Sequence, residues 1–461
     1  MYVSDTIAAI STAPGEAGIG IVRMSGSQAF SIVGELFESS SGKDFLSIKN
    51  RTINHGFIID PKTNNKIDEV LISKMQSPNT YTREDIVEIN CHGGTLAVKR
   101  ILELLLRNGA SLAEPGEFTK RAFLNGRIDL SQAEAVIDLI TAKTDKGMDV
   151  AFEQLEGSLS SKILEIRESI INMLAHIEAS IDYPEYDIEE VTYDTLLKQA
   201  QEVSDKIQKL LETADTGKIL REGLSTVIIG KPNVGKSSLL NALLKEGRAI
   251  VTDVPGTTRD IIEDYINIRG IPLRIIDTAG IRETEDVIEK IGVDKSKELI
   301  EQADLILFIL DISSKLSKED EILMELLKDK KAIVLFNKTD LKPALTIEKL
   351  KEHFKGKSII EISALKGEGL DKLEEEIVEM VYGGQVSAGD TGLVSNIRHK
   401  NLLESAINSA NITIETIKDN LPLELISVDL KDCWDLLGQV TGDTIAEDII
   451  DQIFANFCIG K

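Results

Sequence analysis

A multidomain α/β and α protein is predicted by three observations. The stretch Gly230-Lys231-Pro232-Asn233-Val234-Gly235-Lys236-Ser237 lies between an apolar β-branched run and a helical one. Strand and helix patterns then alternate from about 218 to 382, the rhythm of a doubly wound sheet. Apolar residues recur at helical spacing without a proline from about 129 to 180, and helical pattern returns from about 396, as in a packed bundle. The expected arrangement is a mixed α/β N-terminal domain (1–120), a helical-bundle domain in two parts (121–217 and 383–461), and a doubly wound phosphate-loop domain (218–382) inserted between those parts. Insertion is tolerated where domain termini lie close together.

The 461 residues allow several domains, and 42% hydrophobic content allows substantial cores. No apolar run reaches membrane-spanning length, and Met1-Tyr2-Val3-Ser4-Asp5 does not open a signal peptide. Cys91, Cys433 and Cys458 form no disulfide framework. A soluble cytoplasmic protein with no membrane partner is expected. The net charge of −25 opposes nonspecific wrapping of nucleic acid. It leaves room for RNA docked at a local patch or through a basic partner.

Taken in order, residues 6–10 and 20–24 read as strands joined by the turn-rich Pro14-Gly15-Glu16-Ala17-Gly18. A third strand is expected at 85–90, followed by a helix from Thr95 with Leu96, Ile101, Leu104 and Leu105 on one face. Long helices follow, carrying Val136, Ile137 and Ile140, then Ile163, Ile166, Ile170 and Leu174. Tyr183-Pro184-Glu185-Tyr186-Asp187 breaks the pattern, and another helix fits 193–211. After the inserted domain the chain reads as helical from 396 to its end.

The inserted domain carries nucleotide chemistry. Glycines in G-x-x-x-x-G-K-S let the backbone close on a phosphate. In that motif Lys236 reaches the outer phosphates, and the Ser237 hydroxyl ligates magnesium. The expected GTP/GDP contacts in this stretch are Asn233, Val234, Gly235, Lys236, Ser237 and Ser238. Downstream, Thr252, Asp253, Val254, Pro255, Gly256, Thr257 and Thr258 form a second loop, with Thr258 a magnesium ligand. Asp277-Thr278-Ala279-Gly280 closes a buried strand; Asp277 holds magnesium through water and the Gly280 N–H meets the γ-phosphate. Asn337, Lys338 and Asp340 select the base: the Asp340 carboxylate takes two hydrogen bonds from guanine, and adenine would leave it unpaired. The backbone of Ser363, Ala364 and Leu365 can donate to guanine O6. Over residues 225–382, order and spacing match the translation-factor-type GTPases, so a Ras-like fold is expected. Leu365 stands where Lys or Arg is frequent.

Ile281 occupies the place of the water-orienting glutamine of Ras-like enzymes. Asn233 can instead ligate a monovalent cation near the β/γ-phosphates, with backbone carbonyls of Thr252, Val254 and Thr257 completing its shell. Glu289 can polarise water, or it belongs to a solvated acidic face within 283–289. The residues alone favour the second reading.

Two further segments narrow the comparison: Pro115-Gly116-Glu117-Phe118-Thr119-Lys120-Arg121-Ala122-Phe123-Leu124-Asn125-Gly126-Arg127 and the terminal Phe457-Cys458-Ile459-Gly460-Lys461. With the GTPase unit they resemble the MnmE (TrmE) family of tRNA-modification GTPases over essentially the full length. The resemblance implies a folate-binding N-terminal domain that dimerises, a helical domain, and a GTPase domain activated by potassium through Asn233. It makes Glu289 catalytic, beside Lys236 and Asn233. It implies a flavoprotein partner, MnmG (GidA), in a heterotetramer-type complex. Together they would add an aminomethyl-type group at C5 of the wobble uridine in certain tRNAs. It assigns Arg23, Glu88, Arg127 and Lys461 to 5-formyltetrahydrofolate or a related tetrahydrofolate. Arg127 replaces a Lys of some relatives, which keeps the charge and changes its geometry. A ribosome-assembly GTPase switch and a folate-dependent one-carbon transferase are the alternatives. The acidic chain and its N-terminal domain speak against the first.

Overall fold

The computed structural model describes residues 5–182, 193–245, 249–250, 264–276, 292–344, 350, 353–383 and 392–461. These form two compact units, one of residues 5–137 and 438–461, the other of the described residues between 138 and 437.

The first unit is built on a seven-stranded sheet: β1 (Ile7–Ile10), β2 (Ala17–Ser25), β3 (Phe37–Ser39), β4 (Thr52–Asp60), β5 (Asn65–Met75), β6 (Ile86–Gly93) and β7 (Ser111–Leu112), ordered β3-β4-β5-β6-β2-β1-β7. The expected strands and the helix at Thr95–Arg107 are present. The long antiparallel β4–β5 pair is an addition to the sequence reading. Alternation sets its faces: Val70 and Ile72 are buried, while Glu69 and Leu71 face outward. Helices Ala29–Leu36 and Thr95–Arg107 cover the inner face, where Ile32, Val33, Ile101 and Leu105 pack with Val22, Met24, Ile72 and Ile89. Lys74 also points inward. Its ammonium lies 4.9 Å from the Phe30 ring centre and donates to the carbonyls of Phe45, Leu46 and Ile48 at 3.3, 2.9 and 3.3 Å.

Helix does not run to the chain end, as the periodicity suggested. It stops at Phe454, and Ile459 bridges to Pro115. The N–H groups of Gly116 and Phe118 donate to the carbonyls of Cys458 and Lys461. Gly460 has φ +89°, and a Cβ there would stand 2.3 Å from the Ile10 carbonyl oxygen. A side chain at this position would push the tail off β1.

In the second unit, β8 (Leu224–Ile229), β9 (Ala249–Ile250), β10 (Asp264–Ile268), β11 (Ile271–Ile275), β12 (Leu305–Asp311), β13 (Ala332–Asn337) and β14 (Ser358–Glu361) form a sheet ordered β14-β13-β12-β8-β11-β10-β9. Strands β14, β13, β12, β8 and β11 are parallel. Both faces of this core are covered, which explains its unbroken apolar runs. Leu305, Leu307 and Ile309 pack toward helices Lys236–Lys245 and Leu370–Tyr382; Ile306, Phe308 and Leu310 pack toward Lys318–Leu326.

The expected long helices of 129–180 are three: Leu130–Thr141, Asp145–Leu155 and Ser158–Asp182. Thr144 interrupts the run by capping, its hydroxyl accepting from the Gly147 N–H at 3.1 Å. Helix Tyr193–Glu212 is tied to Ile397–Lys418 through Ser204 Oγ and Asn411 Oδ1, 3.0 Å apart. Helix Ala214–Glu222 leads directly into β8. Its Arg221 Nε donates to Asp138 at 2.7 Å, and its Thr216 hydroxyl donates to the Val381 carbonyl at 3.1 Å.

Candidate functional site

The phosphate loop leaves β8, every residue of which is buried. Fixing a strand end in the core aims the following loop. At Gly235, φ is +105° and a Cβ would lie 2.3 Å from Asn337 Nδ2, so only glycine fits. Asn233 adopts the left-handed φ of +63°, which asparagine tolerates. Its side chain is exposed, while its carbonyl accepts from Lys338 Nζ at 2.8 Å. Val234 is fully buried beneath the loop. Lys236 and Ser237 open helix Lys236–Lys245, and the start of a helix favours an anion. The Lys236 ammonium donates to the carbonyls of Gly230 and Lys231 at 2.5 and 2.9 Å. Burial lowers its pKa, with the Glu319 carboxylate opposing the shift. Ser237 is half-buried and Ser238 exposed.

The base-side residues meet the same loop. Asn337, 2% exposed at the end of β13, donates from Nδ2 to the Val234 carbonyl at 2.7 Å and accepts at Oδ1 from the Ala364 N–H at 3.0 Å. It therefore joins the phosphate loop to the loop after β14. Lys338, at φ +68°, carries its ammonium 2.8 Å from Asp311 Oδ2. Burial raises the Asp311 pKa, but hydrogen bonds from Lys338 and from the hydroxyl and N–H of Ser313 outweigh it and hold the carboxyl low. The Asp340 carboxylate accepts from the Ser363 hydroxyl at 2.8 Å. The Ser363 N–H donates to the Glu368 carbonyl, and the Ala364 N–H is taken by Asn337. The backbone donation expected from Ser363, Ala364 and Leu365 thus narrows to Leu365, whose side chain is 84% exposed. Asp311 was missed by sequence reading, because no motif spacing marks it.

A second cluster forms in the first unit. Register opposes Arg23 to Glu88 on β2 and β6. Arg23 donates to Glu88 Oε1 from Nε at 3.0 Å and Nη2 at 2.8 Å, and from Nη1 to the Gly460 carbonyl at 3.4 Å. Its guanidinium lies 5.8 Å from the Tyr81 ring centre and 5.7 Å from that of Phe118. Arg127 approaches Tyr81 to 4.8 Å. Lys461 joins through its carbonyl, which accepts from the Phe118 N–H at 3.2 Å. Arg23 and Arg127 thus both approach Tyr81, Glu88 is held by Arg23, and Lys461 meets Phe118 through its backbone. Tyr81 went unnoticed in the sequence because it sits in a polar loop. Its hydroxyl is fixed 2.9 Å from that of buried Thr119.

Thr252, Asp253, Val254, Pro255, Gly256, Thr257, Thr258, Asp277, Thr278, Ala279, Gly280 and Glu289 lie outside the described residues.

A sheet with five parallel strands, a glycine-bounded loop at one strand end and an Asn-Lys-x-Asp loop clasped to it defines a Ras-like P-loop GTPase fold. A family model described as "GTP-binding protein TrmE N-terminus" matches residues 6–127, and one described as "MnmE helical domain" matches 130–458. The tRNA modification GTPase MnmE of Alkaliphilus oremlandii is 61% identical over 461 residues, covering 100% of both chains. That of Clostridioides difficile is 57% identical over the same span, and that of Bacillus subtilis 52% over 458 residues, 99% of this chain and 100% of the relative. The chain belongs to the MnmE family of tRNA modification GTPases.

Proposed function

We propose that this chain hydrolyses GTP at the loop 230–237, with potassium activation, and couples this to modification of the wobble uridine of certain tRNAs. The carrying observation is the Asn337 clasp, which brings the phosphate loop and the Asp340 loop into one site. Phosphate recognition falls to the loop N–H groups and Lys236; base recognition falls to Asp340, oriented by Ser363. The half-buried Ser237 hydroxyl at the helix start suits magnesium, a hard cation that takes oxygen ligands. The exposed Asn233 carboxamide suits potassium, whose charge would supply what an arginine finger gives elsewhere. Thr258, Asp277, Thr252, Val254, Thr257 and Glu289 are assigned by the sequence motifs and the family resemblance.

The Arg23–Glu88 pair beside Tyr81 suits a tetrahydrofolate: a carboxylate for the amide and amino edges of a pterin, an aromatic face for its ring, and cations for its glutamyl tail. Residues 1–120 would form the folate-binding, dimerising domain, 121–217 and 383–461 the helical domain, and 218–382 the GTPase. Folate would supply the one-carbon unit and the flavoprotein partner would share the modification, in the cytoplasm.

Asp340→Asn should weaken GTP binding and improve xanthosine triphosphate binding, measured by calorimetry; an unchanged preference would sink the base assignment. Phosphate release should be faster in potassium than in sodium at equal ionic strength, and Asn233→Ala should remove that difference. Glu289→Ala should keep GTP affinity and lower kcat, since water orientation counts mainly in the transition state. Arg23→Ala should weaken 5-formyltetrahydrofolate binding in equilibrium dialysis, with equal binding removing Arg23 from the site.

A further inference from the structure

Lys231, the first lysine of the phosphate loop, points away from the phosphate side. Its ammonium donates to Asp320 Oδ2 at 2.8 Å, the Ser314 hydroxyl at 3.3 Å and the Lys315 carbonyl at 3.3 Å. Three acceptors use all three of its protons. Asp320 is wholly buried, and the same Oδ2 also accepts from the N–H and hydroxyl of Ser317 at 2.8 Å each. Ser317 and Asp320 form the capping box that starts helix Lys318–Leu326. One buried carboxylate thus fixes both a helix terminus and the start of the phosphate loop, 89 positions away in sequence.

The backbone of Lys231 has a second duty: its carbonyl receives the Lys236 ammonium at 2.9 Å. Moving Lys231 therefore moves an acceptor of the lysine that serves the phosphates. The loop is held independently at Asn233 and Val234 by Lys338 and Asn337. Its beginning depends on Asp320. Without Lys231, buried Asp320 would lose the cation paired with it, which favours rearrangement around it.

Resting on the guanine-nucleotide reading above, we infer that Lys231 is a positioning residue, whose ion pair with Asp320 pre-shapes the phosphate loop for the phosphates common to GDP and GTP. Pre-shaping serves ground state and transition state alike, so it appears in affinity and not in kcat. The test uses the full chain, fluorescent GDP and GTP, and steady-state phosphate release. Lys231→Met should weaken GDP and GTP by the same factor, about tenfold for an interaction of this size, with kcat at saturating GTP held within about twofold. Lys231→Arg should bind as wild type. Asp320→Asn, which keeps a capping side chain, should reproduce Lys231→Met, and the double substitution should be no weaker than either single one. Wild type that binds GDP, with Lys231→Met or Asp320→Asn binding it equally well, overturns this inference alone. So do losses that multiply in the double variant, or an affinity loss that Arg does not rescue. Wild type that binds no GDP overturns the guanine-nucleotide reading and this inference with it.

Discussion

The carboxamide of Asn337 spans the Val234 carbonyl and the Ala364 N–H, all three groups buried. Truncation to alanine would strand both partners. A buried group left unpaired costs about 1–3 kcal/mol, so Asn337→Ala should lower the thermal midpoint of the second unit and weaken GDP and xanthosine diphosphate together, unlike Asp340→Asn. Calorimetry with both nucleotides separates the two effects. Cys433 gives a prediction of another kind. Its thiol is fully buried, and burial pushes its pKa up from 9.0 to about 12. Below pH 9 both folded and unfolded chains hold this proton. Above it only the unfolded chain ionises, so stability falls by about 1.4 kcal/mol per pH unit until the folded thiol titrates. Denaturant midpoints should decline less steeply over that range in Cys433→Ala than in wild type. At this scale a fixed spacing marks Asn337, Asp340, Lys236 and Asn233 in the sequence, and hydrogen bonds tie Asn337 and Asn233 into neighbouring loops of the structure. The sequence did not disclose Asp311, Tyr81 or the Lys231–Asp320 pair, whose partners meet only after the chain folds.

Strands β8 and β5 show why one element was legible and another was not. The β8–loop–helix unit announces itself through an apolar run ending in a glycine motif. In β5 the outward face carries Leu71 and the inward face carries Lys74, so apolar and polar residues do not sort by face. Lys74 belongs inside because three backbone carbonyls around Phe45 surround its ammonium. Methionine there would keep volume and leave those carbonyls without their donor. Lys74→Met should destabilise the first unit by about 1–3 kcal/mol on the same unpaired-group scale and lower its unfolding midpoint accordingly, while leaving GTP hydrolysis unchanged. Differential scanning calorimetry alongside a phosphate-release assay checks both halves. The helices of 129–180 were legible as helices; their division at Thr144 was not, because a capping threonine also passes as an ordinary helical residue.

At the scale of the whole molecule, what governs assembly is how far apart in the chain the packed partners lie. Ser204 meets Asn411 across 207 positions, Gln154 meets Ser395 across 241, and Ser11 meets Gly460 across 449. The strands of the second sheet, by contrast, all come from residues 224–361. During synthesis that sheet can close as soon as β14 emerges, while helix Tyr193–Glu212 must wait for Ile397–Lys418. At about 5–20 residues per second the wait is roughly 10–40 s. Throughout it Leu196, Val203, Ile207 and Leu210, buried in the finished protein, lack the cover of Ile397–Lys418 and have only the helices Ser158–Asp182 and Ala214–Glu222 beside them. Nascent chains halted soon after residue 382 should therefore be cleaved by protease within 193–212 yet resist cleavage within β12 and β13. The chain order of this fold therefore leaves one apolar helix face short of its main cover until the second sheet has long been complete.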